Sequence, residues 1–223
     1  MGRERDPGRS RRAIIEAAEV LFAERGFAGA SLEEIGRVAG VARATPSYFF
    51  GSKDALYREV LALVLRERDQ ALRTAFAPLL AWARSRDGAD SDHASLRAAI
   101  SAGIGGYLAF LDTRPTFARL IEWEALTGAS ALSGEVAQAG PISQAFRAAH
   151  RVRRSRRLAD FDPTAVVVAV VSLCFLPVAH ADTFRAGGEI DTLEKGFRTR
   201  YETLVVDAVL HMMLSVNAGQ RRR

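Results

Sequence analysis

Side chains capable of catalysis are few in this chain, and their spacing does not bring them together. The chain has four histidines: His93, His150, His180 and His211. They lie far apart, without the close spacing of metal ligands. Cys174 has no histidine or lysine near it in sequence to activate the thiol. The GIGGY segment at 103–107 follows no predicted strand, whereas a dinucleotide-binding loop does. We therefore expect a protein that is not an enzyme and uses neither a metal nor a cofactor.

The composition indicates a folded, basic protein. With 223 residues, of which 48% are hydrophobic, the chain can form a sizeable core in one or two domains. The net charge of +5 favours a polyanionic partner such as nucleic acid, although an anionic membrane surface would also suit it. A single cysteine excludes an internal disulfide and is compatible with a reducing cytosol.

Two segments bear on cellular location. The first residues, MGRERDPGRSRR, carry charges with no apolar segment behind them, so we expect no secretory signal and a cytoplasmic protein. The apolar run 164–181 approaches the length of the shortest membrane span. Pro177, His180 and the shortness of the run favour a buried helix instead, so we expect no membrane contact.

The stretch 31–53, SLEEIGRVAGVARATPSYFFGSK, contains the clearest arrangement of helix signals. Ser31 is a candidate N-cap whose hydroxyl can accept from the Glu34 amide while the Glu34 carboxylate reaches back, as in a capping box. An apolar stripe continues this helix: Leu32, Ile35 and Val38. Gly40 is predicted to end it, because glycine adopts the left-handed conformation at little cost.

A second short helix is predicted to begin within 42–46 and to run to about Phe50. The chain then turns at Gly51, and Ser52 is a candidate N-cap of a third, much longer helix. A helix, a glycine turn and a second helix are typical of a helix-turn-helix unit, which lays its second helix in the DNA major groove.

Apolar periodicity predicts helices on both sides of this unit. Before it, residues 10–25 form an amphipathic helix that Gly26 ends, with Phe27 packing back on Phe22. After it, the pattern predicts a helix of about 24 residues that reaches Pro78, where proline kinks the helix or starts a new one.

From His93 onward the pattern stays helical, so the predicted class is all-α. Five further helices are predicted: 94–111, 115–127, 141–158, 163–181 and 191–216. Three of them begin with proline, which is tolerated at a first helical position. The predicted connecting loops are 86–92, 130–140 and 184–190.

The order of these motifs resembles the TetR family of bacterial transcriptional regulators. The resemblance covers roughly residues 10 to 65 and consists of a basic helix ending in RGF, then AS and LEEIGRVAGV, then YFFGSK and DALYREVL. It implies a DNA-binding head over 1–52, joined by the long helix to a helical ligand-binding and dimerisation domain over 53–216, and a basic tail over 217–223. The implied function is a homodimeric repressor that binds a palindromic double-stranded DNA operator and is released by a small hydrophobic effector.

Two other functions remain open. One is a ligand-independent DNA-binding protein of low specificity, which would show little preference for sequence. The other is a helical enzyme or carrier that binds small molecules and ignores DNA.

By position in the matching motif, the resemblance assigns six residues to DNA: Ser31, Arg43, Thr45, Ser47, Tyr48 and Lys53. Ser31 and Lys53, at helix N-termini, are expected to contact phosphates. The chain departs from the family pattern at Pro46 and Ser47, where a leucine and a tyrosine are usual. Because Pro46 lacks an N–H, the reading helix is expected to begin late, with Thr45 as its cap and Arg43 in the turn. Tyr48 then replaces the missing tyrosine at a phosphate; core packing is the alternative for Tyr48 and Phe49.

For two basic segments the sequence leaves open whether they contact nucleic acid or only solvent. Residues 1–9 form a solvated tail or an arm that contacts phosphates or the minor groove. Residues 147–157, RAAHRVRRSRR, form a second nucleic-acid site or, more simply, a helix face whose arginine stems cover the core.

Apolar stripes on the last two long helices predict the dimer interface. The stripes consist of Val166, Val170, Leu173 and Pro177 on one helix and Tyr201, Leu204, Val205, Ala208, Val209 and Met212 on the other. Each helix is apolar on more than one side, which suggests burial by a partner subunit as well as by the chain's own core. The alternative is that both stripes serve only the intramolecular core.

Aromatic residues of the middle helices predict the effector pocket. The candidates are Tyr107, Phe110, Phe117, Trp123, Phe146, His150 and Cys174. Such side chains line pockets in helical bundles, although plain core packing is the alternative for each of them. The three glycines at 103, 105 and 106 favour a cavity, because small residues leave space between helices. His150 or Glu122 could bond a polar end of the ligand.

Overall fold

A computed structural model describes residues 6–85, 93–128, 140–188 and 190–214. Over these residues the chain forms ten α-helices and no strand, which confirms the all-α class. The helices are α1 Pro7–Gly29, α2 Leu32–Val38, α3 Thr45–Phe50, α4 Lys53–Arg84, α5 His93–Thr113, α6 Pro115–Leu126, α7 Gly140–Arg151, α8 Pro163–Ala179, α9 Ala181–Ala186 and α10 Lys195–Leu214. The predicted loop 86–92, most of 130–140 and the basic tail lie outside the described residues, as do residues 1–5 of the basic arm.

The helices form two compact units, and the division differs from the predicted boundary at residue 52. The first unit, called the head below, contains α1, α2, α3, the start of α4 up to Glu67, and α6. The second unit contains α4 from Arg68 onward, α5 and α7 to α10. Helix α6 joins the head because it packs along α1, a contact between segments far apart in sequence.

Helix α1 supplies much of the core of the head. Asp6 caps it by accepting from the Gly8 amide at 2.9 Å, and Pro7 stands in its first turn. The predicted end at Gly26 corresponds to a break, since Gly26 has φ 68° and leaves the helical path. The Phe22 and Phe27 rings stack across this break with centroids 6.2 Å apart, as expected.

Helix α4 begins where the sequence indicated and continues further. The Ser52 hydroxyl accepts from the Ala55 amide at 3.1 Å, which confirms the N-cap. The helix is 32 residues long and contains Pro78, so the predicted alternative that a new helix starts there is wrong. Phe76 and Leu79, on either side of the proline, are fully buried. Their packing outweighs the one backbone hydrogen bond that proline removes.

Three glycines of α5 allow close helix packing in the second unit. A Cβ placed on Gly103 would lie 2.6 Å from the Phe76 ring, and one on Gly106 would lie 2.5 Å from the Ala75 methyl group. A Cβ on Gly105 would lie 2.9 Å from Glu202 Oε1. Neighbouring side chains therefore occupy the space that the sequence assigned to a cavity, and that expectation is wrong at these positions.

The helices after residue 140 differ from prediction at their ends. Helix α7 ends at Arg151 instead of 158, and the turns that follow include Arg157 at φ 55°. The predicted helix 163–181 is divided at His180 into α8 and α9. Helix α10 begins late because the Glu194 carboxylate accepts from the amides of Gly196 and Phe197 at 2.7 and 2.6 Å.

The basic run 147–157 has protein partners within the second unit. Arg156 Nη2 donates to the Ser85 carbonyl at 2.7 Å, and its guanidinium lies 5.2 Å from the centre of the Trp82 ring. Arg153 Nε pairs with Asp160 at 2.7 Å. These contacts favour the structural reading of the run over a second nucleic-acid site.

One described helix, α5, is long and apolar enough to cross a membrane, and half of its most apolar window is buried inside the protein. Core helices commonly meet the same criterion of length and composition. Helix α8, which contains most of the run 164–181, has 17 residues.

Candidate functional site

One of the two hydrogen bonds of the predicted capping box is present at the start of α2. Ser31 Oγ accepts from the Glu34 amide at 3.2 Å, and the helix begins at Leu32 as expected. The Glu34 carboxylate accepts from Arg25 Nη1 at 2.7 Å instead of reaching back to the Ser31 amide. An ion pair to α1 thus replaces the second bond of the predicted capping box.

The turn between α2 and α3 is fixed by a glycine and a proline. Gly40 has φ 67°, the left-handed conformation predicted for it. The Val41 amide donates to the Gly36 carbonyl at 3.0 Å and closes the turn. Pro46 is buried, and a Cβ on Gly36 would lie 3.2 Å from its ring, so the proline sets how closely α3 approaches α2.

Helix α3 begins one residue earlier than predicted. Thr45 is its first residue, and Ala44 stands at the N-cap without a side-chain hydrogen bond. Pro46 is tolerated there because amides of the first helical turn have no partner within the helix. Arg43 lies in the turn before the helix, as expected.

The outer face of α3 is polar and highly exposed. Tyr48 is 84% exposed, which excludes core packing for its side chain. Ser47 and Arg43 are also exposed, whereas Thr45 and Phe49 are partly buried. Arg43 pairs with Glu33 at 2.8 Å, but both side chains are mostly in solvent, so the pair is easily exchanged for another partner. This face offers a guanidinium and two hydroxyls to a ligand outside the protein.

A cleft of about 260 Å³ adjoins this face, where the start of α1 meets α3. It is lined by Pro7, Ser10, Val41, Thr45, Tyr48 and Phe49. The Tyr48 ring stands edge-on to the Phe49 ring, with centroids 5.4 Å apart. Tyr48 therefore borders both the open face and the cleft.

Lys53 has a structural environment that the sequence did not indicate. Its ammonium donates to the carbonyls of Phe27 and Ala30 at 2.9 and 3.0 Å and lies 4.3 Å from the centre of the Phe27 ring. Two of its three N–H groups are thus used to hold the end of α1 and the residue that follows it. The expected phosphate contact is left with one donor.

A tryptophan and a tyrosine–glutamate pair bond α6 to the rest of the head. The Trp123 ring covers Gly26, where a Cβ would lie 3.0 Å from it, and Trp123 Nε1 donates to the Ala23 carbonyl at 3.2 Å. Tyr57 Oη donates to Glu124 Oε1 at 2.6 Å in a buried setting. Trp123 was expected in the effector pocket, and its position in the head is a correction to that expectation.

A further polar group joins the start of α6 to α1. Glu19 is buried and accepts from the Thr116 hydroxyl at 2.5 Å, while Arg114 pairs with Glu19 at 3.3 Å and also with Glu67. Phe117, another expected pocket residue, is buried in the same unit. Both ends of α6 are thus bonded to the rest of the head.

Two of the expected pocket residues belong to one polar cluster of the second unit. Tyr107 is 3% exposed and Cys174 is completely buried. Burial, with the nearby Cys174, raises the pKa of Tyr107, and burial raises the pKa of Cys174 to about 12. Both groups therefore stay protonated near neutrality. The charges of Arg68 and Arg198 act on Tyr107 and on Cys174 respectively.

The other expected pocket residues have core or surface partners. Phe146 is fully buried, with its ring centroid 6.0 Å from that of Phe76, and Phe110 is 8% exposed. His150 Nε2 lies 3.1 Å from Asp160 Oδ1. The hydrogen bond to His150, with the charge of Arg153, lowers the pKa of Asp160. His150 is thus paired with a surface carboxylate.

Sequence reasoning missed the residues that carry the polar contacts between elements. The helical pattern of the sequence does not distinguish three of them from ordinary polar or aromatic residues: Tyr57, Glu19 and Glu124. The only signal for Arg198 was its place four residues before Glu202 in a largely apolar helix. Pairings across long sequence separations have no periodic signature.

Half of the ten residues expected at the dimer interface are buried within the chain itself. Val166, Val170, Pro177, Val205 and Val209 belong to the core of the second unit, and the Tyr201 hydroxyl donates to the Leu173 carbonyl at 3.0 Å. The alternative reading therefore holds for these residues. Leu204 is 62% exposed, and Leu173, Ala208 and Met212 are partly buried. Val168 and Leu176 of α8, which were not expected there, are 60% and 50% exposed.

Family comparisons cover most of the chain. Residues 14–60 match the model of bacterial regulatory proteins of the tetR family. Residues 97–209 match the tetracyclin repressor-like C-terminal domain. The chain belongs to the TetR family. The first match contains the α2–α3 turn, and the second contains Tyr107, Cys174 and Arg198.

The curated relatives match this chain over less than half of their own length. The transcriptional regulator RutR of Escherichia coli K12 is 40% identical over 82 residues, which are 35% of this chain and 39% of RutR. The regulator EthR of Mycobacterium tuberculosis H37Rv is 36% identical over 62 residues, 28% of this chain and 29% of EthR. The match thus spans about two fifths of RutR or less than a third of EthR.

Solved structures share a similar fold over almost the whole chain. SCO4942 of Streptomyces coelicolor, described as a transcriptional regulator, has a TM-score of 0.64 at 23% identity and covers 92% of this chain and 98% of its own. A chain of Mesorhizobium loti described as a TetR-family regulator has a TM-score of 0.64 at 18% identity, with 94% and 99% covered. At such identities the likeness concerns the fold alone.

Proposed function

We propose that this TetR-family protein is a cytoplasmic, sequence-specific DNA-binding regulator, a repressor that a small effector releases from a palindromic operator. Membership of the family supports DNA binding by the head. The observation that carries the proposal is the exposed polar face of α3, with Tyr48 84% exposed, directly after the closed turn at Gly40. An α-helix fits the major groove, where side chains of this kind contact base edges and phosphates.

Arg43, Ser47 and Tyr48 are the DNA-contacting residues best supported by exposure. Arg43 can leave its solvent-exposed pair with Glu33 for a guanine or a phosphate. Thr45, at the first position of α3, can contact a phosphate with its hydroxyl, and Ser31 can do so at the start of α2. Lys53 contributes mainly by holding the loop from which α2 begins.

Two heads must reach successive major grooves, so the protein acts as a homodimer. Exposed apolar side chains on α8 and α10 support an interface there: Val168, Leu176 and Leu204 are half or more exposed. Large apolar side chains grouped on a surface are typical of subunit contacts. This interface uses the outward sides of the two predicted helices, while the inward sides form the core.

An effector that binds the second unit can change operator affinity only if it favours one arrangement of the dimer over another. The shift in operator affinity then equals its difference in affinity for the two arrangements. The cluster around Tyr107 and Cys174 is the candidate site, because it combines buried polar groups with an apolar surrounding.

A mobility-shift assay tests DNA binding. DNA flanking the protein's own gene is titrated with the wild type and with Arg43→Ala and Tyr48→Ala, with and without competitor DNA. We expect Arg43→Ala to relax sequence preference by about 1–3 kcal/mol and Tyr48→Ala to weaken binding to all sequences. Arg119→Ala removes one exposed positive charge from α6 and is the charge-matched control.

Equal affinity for flanking and competitor DNA would support instead the ligand-independent binder of low specificity. No binding to either DNA would overturn the proposed function. Unchanged binding by both α3 variants would show that the assigned reading face is wrong.

Light scattering at micromolar concentration tests the dimer. We expect twice the chain mass for the wild type and for Leu126→Glu, which changes a 78% exposed side chain of α6. Leu204→Glu should give a monomer, because a carboxylate in an apolar interface loses its hydration without gaining a partner. A dimeric Leu204→Glu protein would exclude α10 from the interface.

A further inference from the structure

Four helices of the second unit bring hydrogen-bond donors to one buried place. Arg198 of α10 donates to the carbonyl of Leu108, the residue after Tyr107 on α5, and α8, which carries Cys174, packs against both helices. The charge of Arg68 on α4 acts on Tyr107, and that of Arg198 acts on Cys174. Tyr107 and Cys174 are 3% and 0% exposed, and Arg68 is 7% exposed. Such a convergence is unusual in a core, because polar groups are seldom buried without a task.

Two of these donors have no acceptor among the described residues. Arg198 Nη1 is buried without a hydrogen-bond partner, and no hydrogen bond is formed there by the Tyr107 hydroxyl. Arg198 uses its other terminal nitrogen, donating to Asp112 at 2.5 Å and to the Leu108 carbonyl at 3.4 Å. A buried charged donor without an acceptor is destabilising, so an acceptor supplied from outside would be bound favourably.

The groups of the cluster carry hydrogens, so they can donate hydrogen bonds to an acceptor. Burial raises the pKa of Tyr107 and of Cys174, so near neutrality the hydroxyl and the thiol both keep their hydrogens. Arginine donates only. Glu202 is the carboxylate that acts on Cys174 from α10, and Oε1 of Glu202 lies against Gly105. The other two carboxylates, Asp69 and Asp112, are already bonded to Arg68 and Arg198.

We infer that Arg198 and Tyr107, with Arg68 beside them, bind the carboxylate of the effector, which is thus an organic acid with an apolar body. The inference rests on the proposed function, since it names the ligand class of the regulatory unit. A guanidinium binds a carboxylate through charge-assisted hydrogen bonds, and a tyrosine hydroxyl adds a third. The apolar side chains of α5 and α8 around the cluster favour a hydrocarbon or aromatic body over a sugar or a nucleotide.

Matched acids and amides provide the test on the full-length protein. A panel of carboxylates, including octanoate and phenylacetate, is compared by thermal shift and calorimetry with octanamide and phenylacetamide. We expect at least one acid to raise the melting temperature and its amide to bind about tenfold more weakly or not at all, because the amide carries no charge. No stabilisation by any acid of the panel, or equal binding of acid and amide, would overturn the inference.

Variants locate the acid within the chain. Arg198→Gln should lower the affinity for the acid by about tenfold or more and remove the preference for the acid over its amide. Tyr107→Phe deletes one oxygen atom and keeps the ring. It should lower the affinity for the acid several-fold while the protein stays folded. Arg97→Gln is the control, because Arg97 also lies on α5 and pairs with Asp207 in solvent. Unchanged acid affinity in Tyr107→Phe and Arg198→Gln would overturn the assignment.

The same protein samples are titrated onto operator DNA. Release from DNA by a neutral compound, with no effect of any acid, would overturn the inference and leave the proposed repressor intact. Acid binding with the expected variant pattern, in a protein that binds no DNA, would support the acid site and overturn the proposed function.

Discussion

The buried polar side chains that join α6 to the rest of the head differ in what they contact from those around Tyr107 in the second unit, although the head also contains two buried polar atoms without a hydrogen bond, Arg114 Nε and Glu67 Oε2. In the head, Tyr57 reaches Glu124, Trp123 reaches the Ala23 carbonyl, and Glu19 reaches Thr116, each bond joining α6 to another helix. In the second unit, Arg198 Nη1 and the Tyr107 hydroxyl end without an acceptor in the described part of the chain. Paired buried groups act as structural joints, whereas donors without an acceptor are available to a ligand.

The largest expected difference is between two tyrosine-to-phenylalanine variants. Tyr57→Phe removes a buried hydrogen bond to a carboxylate and should lower the free energy of unfolding by about 1.5–3 kcal/mol. Tyr107→Phe removes a hydroxyl without a protein partner and should cost less than about 0.5 kcal/mol. Urea unfolding followed by circular dichroism measures both. Equal losses would break the comparison, because they would show that the Tyr107 hydroxyl is also a structural joint.

Alkaline pH should affect the two tyrosines alike. Burial raises the pKa of Tyr57, which the hydrogen bond to Glu124 raises further, and burial also raises the pKa of Tyr107. The folded protein therefore keeps protons that the unfolded chain releases above about pH 10, so stability falls as pH rises. The loss is about 1.4 kcal/mol per tyrosine at pH 11.

Melting temperatures between pH 9 and 11 measure this dependence. Tyr57→Phe and Tyr107→Phe should each flatten it by a similar amount, although only the first is costly at neutral pH. A wild-type protein whose stability does not change up to pH 11 would contradict the burial of both hydroxyls.

Packing in the second unit gives a smaller effect. Gly103→Ala should lower stability by about 1 kcal/mol, because its methyl group meets the buried Phe76 ring and the overpacking outweighs the better helix propensity of alanine. Gly105→Ala is the matched variant, since it meets only the movable carboxylate of Glu202. It should be neutral or slightly stabilising in a thermal melt. A stabilising Gly103→Ala would indicate free space beside α5.

The smallest effect concerns Lys53, for which the sequence predicted a phosphate contact. Lys53→Ala should lower stability by less than about 1 kcal/mol through its lost bonds to the Phe27 and Ala30 carbonyls. The salt dependence of operator binding should stay nearly unchanged, whereas loss of a phosphate contact reduces its slope by about one. A reduced slope would restore Lys53 as a DNA-contacting residue. Arg58→Ala, on an exposed turn of α4, is the control.

The local features of the head could be predicted from the sequence because they depend on neighbouring residues. The Ser31 cap, the left-handed Gly40 and the Phe22–Phe27 contact each follow from the conformational preferences of a few adjacent positions. The place of α3 followed from Pro46, to within one residue. These are signals of short range.

Contacts between distant segments could not be predicted in the same way. Nothing in the sequence around Trp123 shows that it covers Gly26 and not a ligand, since an aromatic residue at helical spacing fits either place. The glycines of α5 predicted a cavity beside the helix, but the side chains of Phe76 and Ala75 occupy that space. The α8 and α10 stripes were correctly apolar, but periodicity does not distinguish a side chain facing the core, such as Val205, from one facing outward, such as Leu204.

The head is built from two stretches of the chain, and this matters for protein engineering. Grafting the first 67 residues onto another regulator would leave Gly26 and Tyr57 facing a foreign α6 in place of Trp123 and Glu124. A chimera that is to keep this operator preference has to carry α6, with Arg114, as a second insert. Recombination at a single crossover would thus separate residues that fold together.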